Sequence, residues 1–365
     1  MELIELHILQ SFPVTCLNRD DVGAPKSAFF GGVQRARVSS QSWKRAIREL
    51  AADHASGQGT SNAFFAGKRG HFMAEKLERA IEAHAVAGPQ AQEAAEAIAT
   101  FLAKQDPKHR EGHRTLVALY LSPNEVDAIA KAVAGDLNES GSVKVSKGSL
   151  KKVLSATAPK DTADIALFGR MVASDHSLMI EGAGLFSHAL STHAASNEVE
   201  FFSAVDETKE QEETDEGAGH IGTLEFNSAC YYRYVGLNLG LLWDGGHLGH
   251  FSVPEQEAVL GTFLRSALLA VPGARKNSMF GFNPPAYVLG LKRRGQPLSL
   301  VNAFESPVKA RGEGFVQPSV ERLEQHLKKL REVYGLGADV EVRIPGSTLD
   351  ELIGKLVGFD GHEGA

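Results

Sequence analysis

Residues 30–49 read FGGVQRARVSSQSWKRAIRE. Five basic side chains, Arg35, Arg37, Lys44, Arg45 and Arg48, precede the single carboxylate at Glu49. Ser39 or Ser40 can cap the free backbone N–H groups of a helix that starts here. Trp43, Ile47 and Leu50 then recur at i, i+4 and i+7, one stripe facing a core. Lys44, Arg45 and Arg48 lie off that stripe. A glycine pair, a helix start and clustered Arg and Lys together suit a phosphate: glycines allow close backbone approach, the helix start offers N–H groups, and the cations supply charge. Ser39, Ser40, Gln41 and Ser42 add short donors of the kind that contact sugar and phosphate. A solvated helix face preceded by a surface loop is the plainer reading of the same residues.

Outward from this stretch, residues 13–37 read as a long loop with Pro13, Gly23, Pro25, Gly31 and Gly32. Residues 2–12 alternate apolar and polar and read as a half-buried strand. Downstream, residues 71–105 are Ala- and Glu-rich and helical, broken at Gly88-Pro89. Ser122-Pro123-Asn124-Glu125 is a helix start, with a serine cap, a proline in the first turn and a glutamate reaching back. The region from about 60 to 165 therefore reads as a helical insertion. From about 182 the texture becomes stranded. Between VEFFSAV and HIGTLEFNSACYYRYVGLNL lies DETKEQEETDEGAG (206–219), with seven carboxylates and one lysine, which reads as the acidic tip of a long hairpin. Helices are expected at about 254–271, 319–334 and 348–357, and a strand near 286–291. Long strands with an inserted helical block indicate α+β.

The totals set bounds. At roughly 150 residues per domain, 365 residues make about two units. With 43% hydrophobic and 23% charged residues, the chain can bury a sizeable core. The N-terminus MELIELHILQ lacks the marks of a signal peptide, and no apolar run is long enough to span a membrane. Cys16 and Cys230, the two cysteines, fit a reduced cytoplasmic protein without a disulfide framework. A net charge of −7 argues against an evenly basic nucleic-acid binder but not against a local patch. A second basic block, VKVSKGSLKKVLSATAPK (143–160), carries Lys144, Lys147, Lys151, Lys152 and Lys160 with no carboxylate. WDGGHLGHF offers Asp244, His247 and His250, an H-x-x-H with a nearby carboxylate that can be read as a metal site or as a glycine-rich loop. His188 and His193 are five apart, so an extended chain puts them on opposite faces and makes them poor co-ligands. P-loop, dinucleotide and H-E-x-x-H motifs are absent, as is the RRM aromatic signature.

An ordered set of motifs is specific where each alone is weak. CLNRDD (16–21), Lys26 and FGGVQRARVSSQSWKRAIR (30–48) are followed by ALFGRMVAS (166–174), EGAGLFSHALSTH (181–193) and EFFSAVDE (200–207). HIGTLEFNSACYYRY (220–234), VPGARKNSMFGFNP (271–284) and NAFESPV (302–308) complete the set. The set resembles the crRNA-binding backbone subunit of the type I-E CRISPR Cascade complex, the CasC family, over most of the chain, least at 60–160 and after 335. The resemblance implies a modified RRM-like, ferredoxin-like palm (1–58, the strands of 181–235, and 236–365), a helical fingers insertion (59–180) and a β-hairpin thumb (about 194–222). It implies a non-catalytic protein of antiviral defence, without cofactor or metal, whose copies stack head to tail along one guide RNA beside other Cascade subunits. The RNA backbone would be gripped by Asn18, Arg19, Lys26, Arg35, Arg37, Ser40, Gln41, Lys44 and Arg48. Met171 would pack on bases, and Phe201, Phe202 and Val205 would wedge the strand. Lys144, Lys147, Lys151 and Lys152 would touch target DNA. The acidic tip would face solvent or a neighbouring copy. Two other readings stand beside this one. One is a metal-dependent nuclease using Asp244, His247 and His250, or a general base at His188 or His193. The other is a scaffold whose basic helix binds an acidic protein.

Overall fold

The computed structural model describes residues 1–57, 64–109, 111–140, 147–157, 162–172, 176–204, 220–273, 277–310 and 312–358. Its strands are β1 (Glu2–Thr15), β2 (Ser27–Phe30), β3 (Val33–Val38), β4 (Lys68–Gly70), β5 (Leu119–Leu121), β6 (Gly184–Phe186), β7 (Ala189–Ser191), β8 (Glu198–Ala204), β9 (His220–Asn238), β10 (Tyr287–Arg294) and β11 (Val340–Ile344). Its helices are α1 (Ser40–Gly57), α2 (Met73–Ala83), α3 (Gly88–Leu102), α4 (Pro123–Ser140), α5 (Lys147–Thr157), α6 (Ala163–Phe168), α7 (Leu239–Leu242), α8 (Val253–Leu269), α9 (Val316–Tyr334) and α10 (Leu349–Val357). The protein is therefore α+β. The main sheet runs β11-β10-β1-β9-β7-β3-β2, with β6 and β8 also paired to β9. Strands β1, β7, β9 and β10 occur in that chain order, with α1 after the first and α8 before the last, yet lie side by side as β10-β1-β9-β7.

Two departures from the sequence reading are informative. First, β1 is buried on both faces rather than one. Leu3, Ile4, Leu6, Ile8 and Leu9 are buried, and so are Glu5, His7 and Gln10. An interior strand has no wet face, so each polar side chain needs a partner. Glu5 pairs with Arg293 and accepts from Tyr234 and from the Leu298 N–H at 2.8 Å. Gln10 donates to the Asn283 carbonyl at 2.6 Å and accepts from Arg233, whose buried guanidinium lies 3.6 Å from the Trp43 ring centre. Burial lowers the Arg233 pKa to about 9.

Second, residues 13–37 are not simply a loop. Strands β2 and β3 form a hairpin, with Phe30 opposite Val33 across the two glycines. Gly31 (φ +60°) and Gly32 (φ +78°) supply the two positive φ values that a two-residue type I′ turn requires. A Cβ on Gly31 would lie 1.6 Å from the Glu305 carbonyl oxygen. The pair therefore makes a tight hairpin turn, with Gly31 packed against the chain's own backbone.

The chain divides into two compact units. One comprises residues 2–50, 185–236 and 263–365 and holds the main sheet. Its core includes Leu9, Tyr232, Leu289, Leu300, Phe304, Leu323 and Leu327. The other comprises Met1, 51–184 and 237–262. There α2, α3, α4 and α5 bury Leu77, Ile81, Ile98, Ile129 and Leu154, beside the small β4–β5 ribbon. The helix start read at Ser122 is a capping box. The Glu125 N–H donates to Ser122 Oγ at 3.0 Å, and the Ser122 N–H donates to Glu125 at 2.9 Å. The buried Glu125 is neutralised by Arg170 at 2.6 Å.

His7 makes the first unit acid-sensitive. His7 Nδ1 lies 3.0 Å from the Tyr232 hydroxyl, which also accepts from the Leu300 N–H at 2.8 Å. Protonating this ring would add a buried cation beside Arg293. Burial, then the charge of Arg293, lowers the His7 pKa from 6.5 to about 3. The unfolded chain takes up the proton first, so this stability is complete above about pH 6.5 and is lost as the pH falls toward the folded value. From pH 8 to pH 5 the expected loss from this group is about 2 kcal/mol. Urea unfolding should show a His7→Gln variant losing less than wild type over that interval by about that amount; parallel losses would contradict the assignment.

Candidate nucleic-acid interface

The start of α1 is tied down by three segments of the sheet-bearing unit. Ser39 caps the helix, its Oγ accepting from the Ser42 N–H at 3.3 Å. Asn18 Oδ1 accepts from the Ser39 N–H at 2.9 Å, and His188 Nδ1 accepts from the Ser40 N–H at 2.9 Å. The expected open helix terminus is thus filled by side chains of the protein. What remains available is side-chain chemistry around it. The stripe off this face matches expectation, with Trp43 and Ile47 buried, although Leu50 is only half-buried.

The cations follow one another as a strip along residues 19–26, β3 and α1, segments that meet at this helix start. The loop bearing Arg19 is closed by Asp20 Oδ1, which accepts from the Val22 and Ala24 N–H groups at 3.0 and 2.9 Å. Lys26 and Arg37 sit opposite each other, the Lys26 N–H donating to Asn18 and the Arg37 N–H donating to the Lys26 carbonyl, each at 2.9 Å. Arg37 also donates from Nε to the Ser27 carbonyl at 3.2 Å. Lys44 and Arg48 follow on α1 one turn apart, both half-buried. Lys44 Nζ lies 5.1 Å from the Phe186 ring centre, an aromatic contact that sequence reading did not assign. Burial lowers the Lys44 pKa. Arg19 and Gln41 are exposed, and Ser40 is nearly covered. Arg45 is paired with Glu49 at 2.7 Å. The His188 pKa is lowered by partial burial and then by the charges of Arg37 and Lys26. The positive charges of Arg37 and Lys26 that disfavour a proton on this ring also favour a phosphate.

Arg35 does not belong to the strip. It is fully buried and donates to the carbonyls of Phe30, Ser191, Phe304 and Glu305 at 2.8–3.2 Å. Every arm of its guanidinium is turned into the protein, so no phosphate can reach it. His193 is also internal. Its Nδ1–H donates to the Ala194 carbonyl at 2.8 Å, its Nε2 accepts from the Cys230 N–H at 3.2 Å, and it stacks on Phe315. With both nitrogens engaged it offers no general base.

The expected hairpin forms, β8 pairing antiparallel with β9 from Glu198↔Phe226 to Ala204↔His220. Phe201 is 73% and Phe202 47% exposed on it. Phe202 lies across from Gly222, where a Cβ would come within 2.4 Å of its ring. The glycine thus gives the ring its seat. Val205 and the acidic stretch 206–216 lie outside the described residues. Met171 is 77% exposed in the helical unit. Lys151 and Lys152 are exposed on α5, which begins at Lys147; Lys144 lies outside the described residues.

Asp244, His247 and His250 do not converge. Asp244 Oδ1 accepts from the Gly246 N–H at 2.8 Å within a turn. His247 is buried and donates from Nε2 to the Glu181 carbonyl at 2.8 Å, while His250 is exposed against Phe251. Among the described residues no three His, Cys, Asp or Glu side chains are grouped to hold a metal ion. Among the same residues no helix is long and apolar enough to cross a membrane.

Residues 4–350 match the family model Cas_CT1975, described as CT1975-like protein. No curated protein matches. A chain of a "CRISPR RNA-guided surveillance complex, pre-nicking" superposes with a TM-score of 0.75 at 27% identity, over 92% of this chain and 90% of that one. A chain of another "CRISPR RNA-guided surveillance complex" gives 0.57 at 24% identity, over 93% and 87%, a likeness of fold.

Proposed function

Because this chain belongs to the CT1975-like protein family, we propose that it is the crRNA-binding backbone subunit of a type I-E Cascade complex, of the CasC kind. It acts in the cytoplasm, in antiviral defence, and performs no catalysis itself. Copies line one guide RNA beside the other subunits, hold its sugar-phosphate backbone and leave its bases free to pair with target DNA. A holder of any guide must read phosphate and sugar rather than base edges, with sequence delegated to pairing. The likeness to a chain of an RNA-guided surveillance complex supports the setting.

The observation that carries the reading is the cationic strip in an otherwise acidic chain. Arg19, Lys26, Arg37, Lys44 and Arg48 are the phosphate contacts, with Asn18, Ser40 and Gln41 adding neutral groups; Arg35 is removed from the set. The side-by-side order β10-β1-β9-β7 supports an RRM-like palm, because a β-α-β-β-α-β chain with its last strand beside its first is the ferredoxin-like arrangement. The helical unit would be the fingers and the β8–β9 hairpin the thumb. The exposed Phe201 and Phe202 suit wedging between bases, a step that costs a few kcal/mol of unstacking. Met171 would pack on bases, and Lys147, Lys151 and Lys152 would reach target DNA.

The test is purification of the full chain, with its absorbance ratio read at 260 and 280 nm and the RNA inspected after incubation with magnesium. Bound, uncut RNA is the expected result. Cleavage would turn the reading toward a nuclease. Protein free of RNA and without affinity for it would leave a scaffold.

A further inference from the structure

His188 sits where the strip meets the helix, and neither its place in a strand-like stretch nor its spacing from His193 gives it a role. Its geometry does. Nδ1 accepts the Ser40 N–H at 2.9 Å, and a ring nitrogen that accepts carries no proton. A neutral ring so held must carry its proton on Nε2. That edge belongs to an exposed side chain and takes no partner among the described residues. Lys26 and Arg37 flank it, linked to each other by the Arg37 N–H to Lys26 carbonyl bond. Resting on the reading above, we propose that His188 is a neutral Nε2–H donor to the RNA backbone, its other nitrogen committed to holding α1.

The arrangement solves a problem of placement. The positive charges on Lys26 and Arg37 attract phosphate but do not fix its angle, since their side chains are long. An imidazole locked at one end by a backbone N–H presents a single donor in a set direction. Ring protonation is opposed from two sides: it would break the bond to Ser40, and partial burial, then the charges of Arg37 and Lys26, lower the ring's pKa. The charge needed to bind RNA comes from the cations, and the orientation comes from the neutral ring.

Two variants separate the nitrogens. Asparagine places an acceptor near Nδ1 and drops the outward donor, and glutamine does the reverse. His188→Asn should melt like wild type and bind a labelled single-stranded RNA roughly tenfold more weakly, the value of one hydrogen bond to a charged group. Because the lost group is neutral, the slope of log affinity against log salt should not change. Arg37→Ala should lower that slope by about 0.7. Histidine ¹⁵N spectra should show the Nε2–H tautomer, with the Nε2 signal moving when RNA is added. His188→Asn binding as tightly as wild type, while Arg37→Ala weakens binding, would overturn the proposal and leave the RNA-holding function intact. So would a slope lowered as by Arg37→Ala. Should His188→Asn fail to fold, the spectra decide: an Nε2 signal unmoved by RNA overturns the donor. Absence of RNA binding by wild type would remove the function itself.

Discussion

Replacing Arg35 by alanine should cost the fold about 3–5 kcal/mol, read from urea unfolding, rather than act on RNA directly. The guanidinium serves four carbonyls drawn from three distant parts of the chain, at Phe30, Ser191 and Phe304-Glu305. Its removal leaves buried acceptors without donors, at about 1–3 kcal/mol for each group that water cannot reach. It also loosens the packing of the β2–β3 turn against Glu305, where Gly31 admits no side chain at all. Lysine should not rescue, because a single ammonium cannot fork to carbonyls so placed. Arg37→Ala, two residues on, should stay within about 0.5 kcal/mol of wild type in the same unfolding experiment and lose RNA affinity instead. Equal stability of the Arg35→Ala and Arg37→Ala variants would show that the buried carbonyl network does not hold the hairpin.

That pair also shows what the sequence could and could not reveal. Arg35 and Arg37 lie on the same side of one strand, in one basic stretch, and nothing local separates them. Their difference is made by Phe304 and Glu305, some 270 positions away. The same holds for β1: Glu5 and His7 look like the wet side of an amphipathic strand until Arg293 and Tyr232 arrive as partners. Local signals transferred well. The capping box at Ser122 and Glu125, the break at Gly88-Pro89 and the helix start at Ser39 depend on neighbours in the chain and were legible. The β2–β3 hairpin lies where residues 13–37 read as a long loop, because a glycine pair suits a phosphate loop as well as a two-residue turn. The short β11 alternates charges with valines and gains its identity from pairing with β10. Of the site, the cations Lys26, Arg37, Lys44 and Arg48 were visible as composition. Filling of the helix terminus by Asn18 and His188 was not, since it requires three segments to meet.

In the proposed function this acidic chain holds RNA through a strip of cations that reads backbone. Four or five neutralised phosphates give a slope of log affinity on log salt of about −3 for a single strand. Affinity should then fall on the order of fifty- to hundredfold between 50 and 200 mM salt. Many such sites along one guide would still make a stable assembly. Because phosphate carries no sequence, two RNAs of unrelated sequence should bind alike. The measurement is therefore a salt titration of wild type and of the Lys44→Ala/Arg48→Ala double variant on two unrelated single-stranded RNAs, with magnesium present. A steep slope common to both RNAs is expected, and in the double variant weaker binding with a slope shallower by about 1.4. Binding by the double variant equal to wild type, or a slope near zero, would contradict the proposed function.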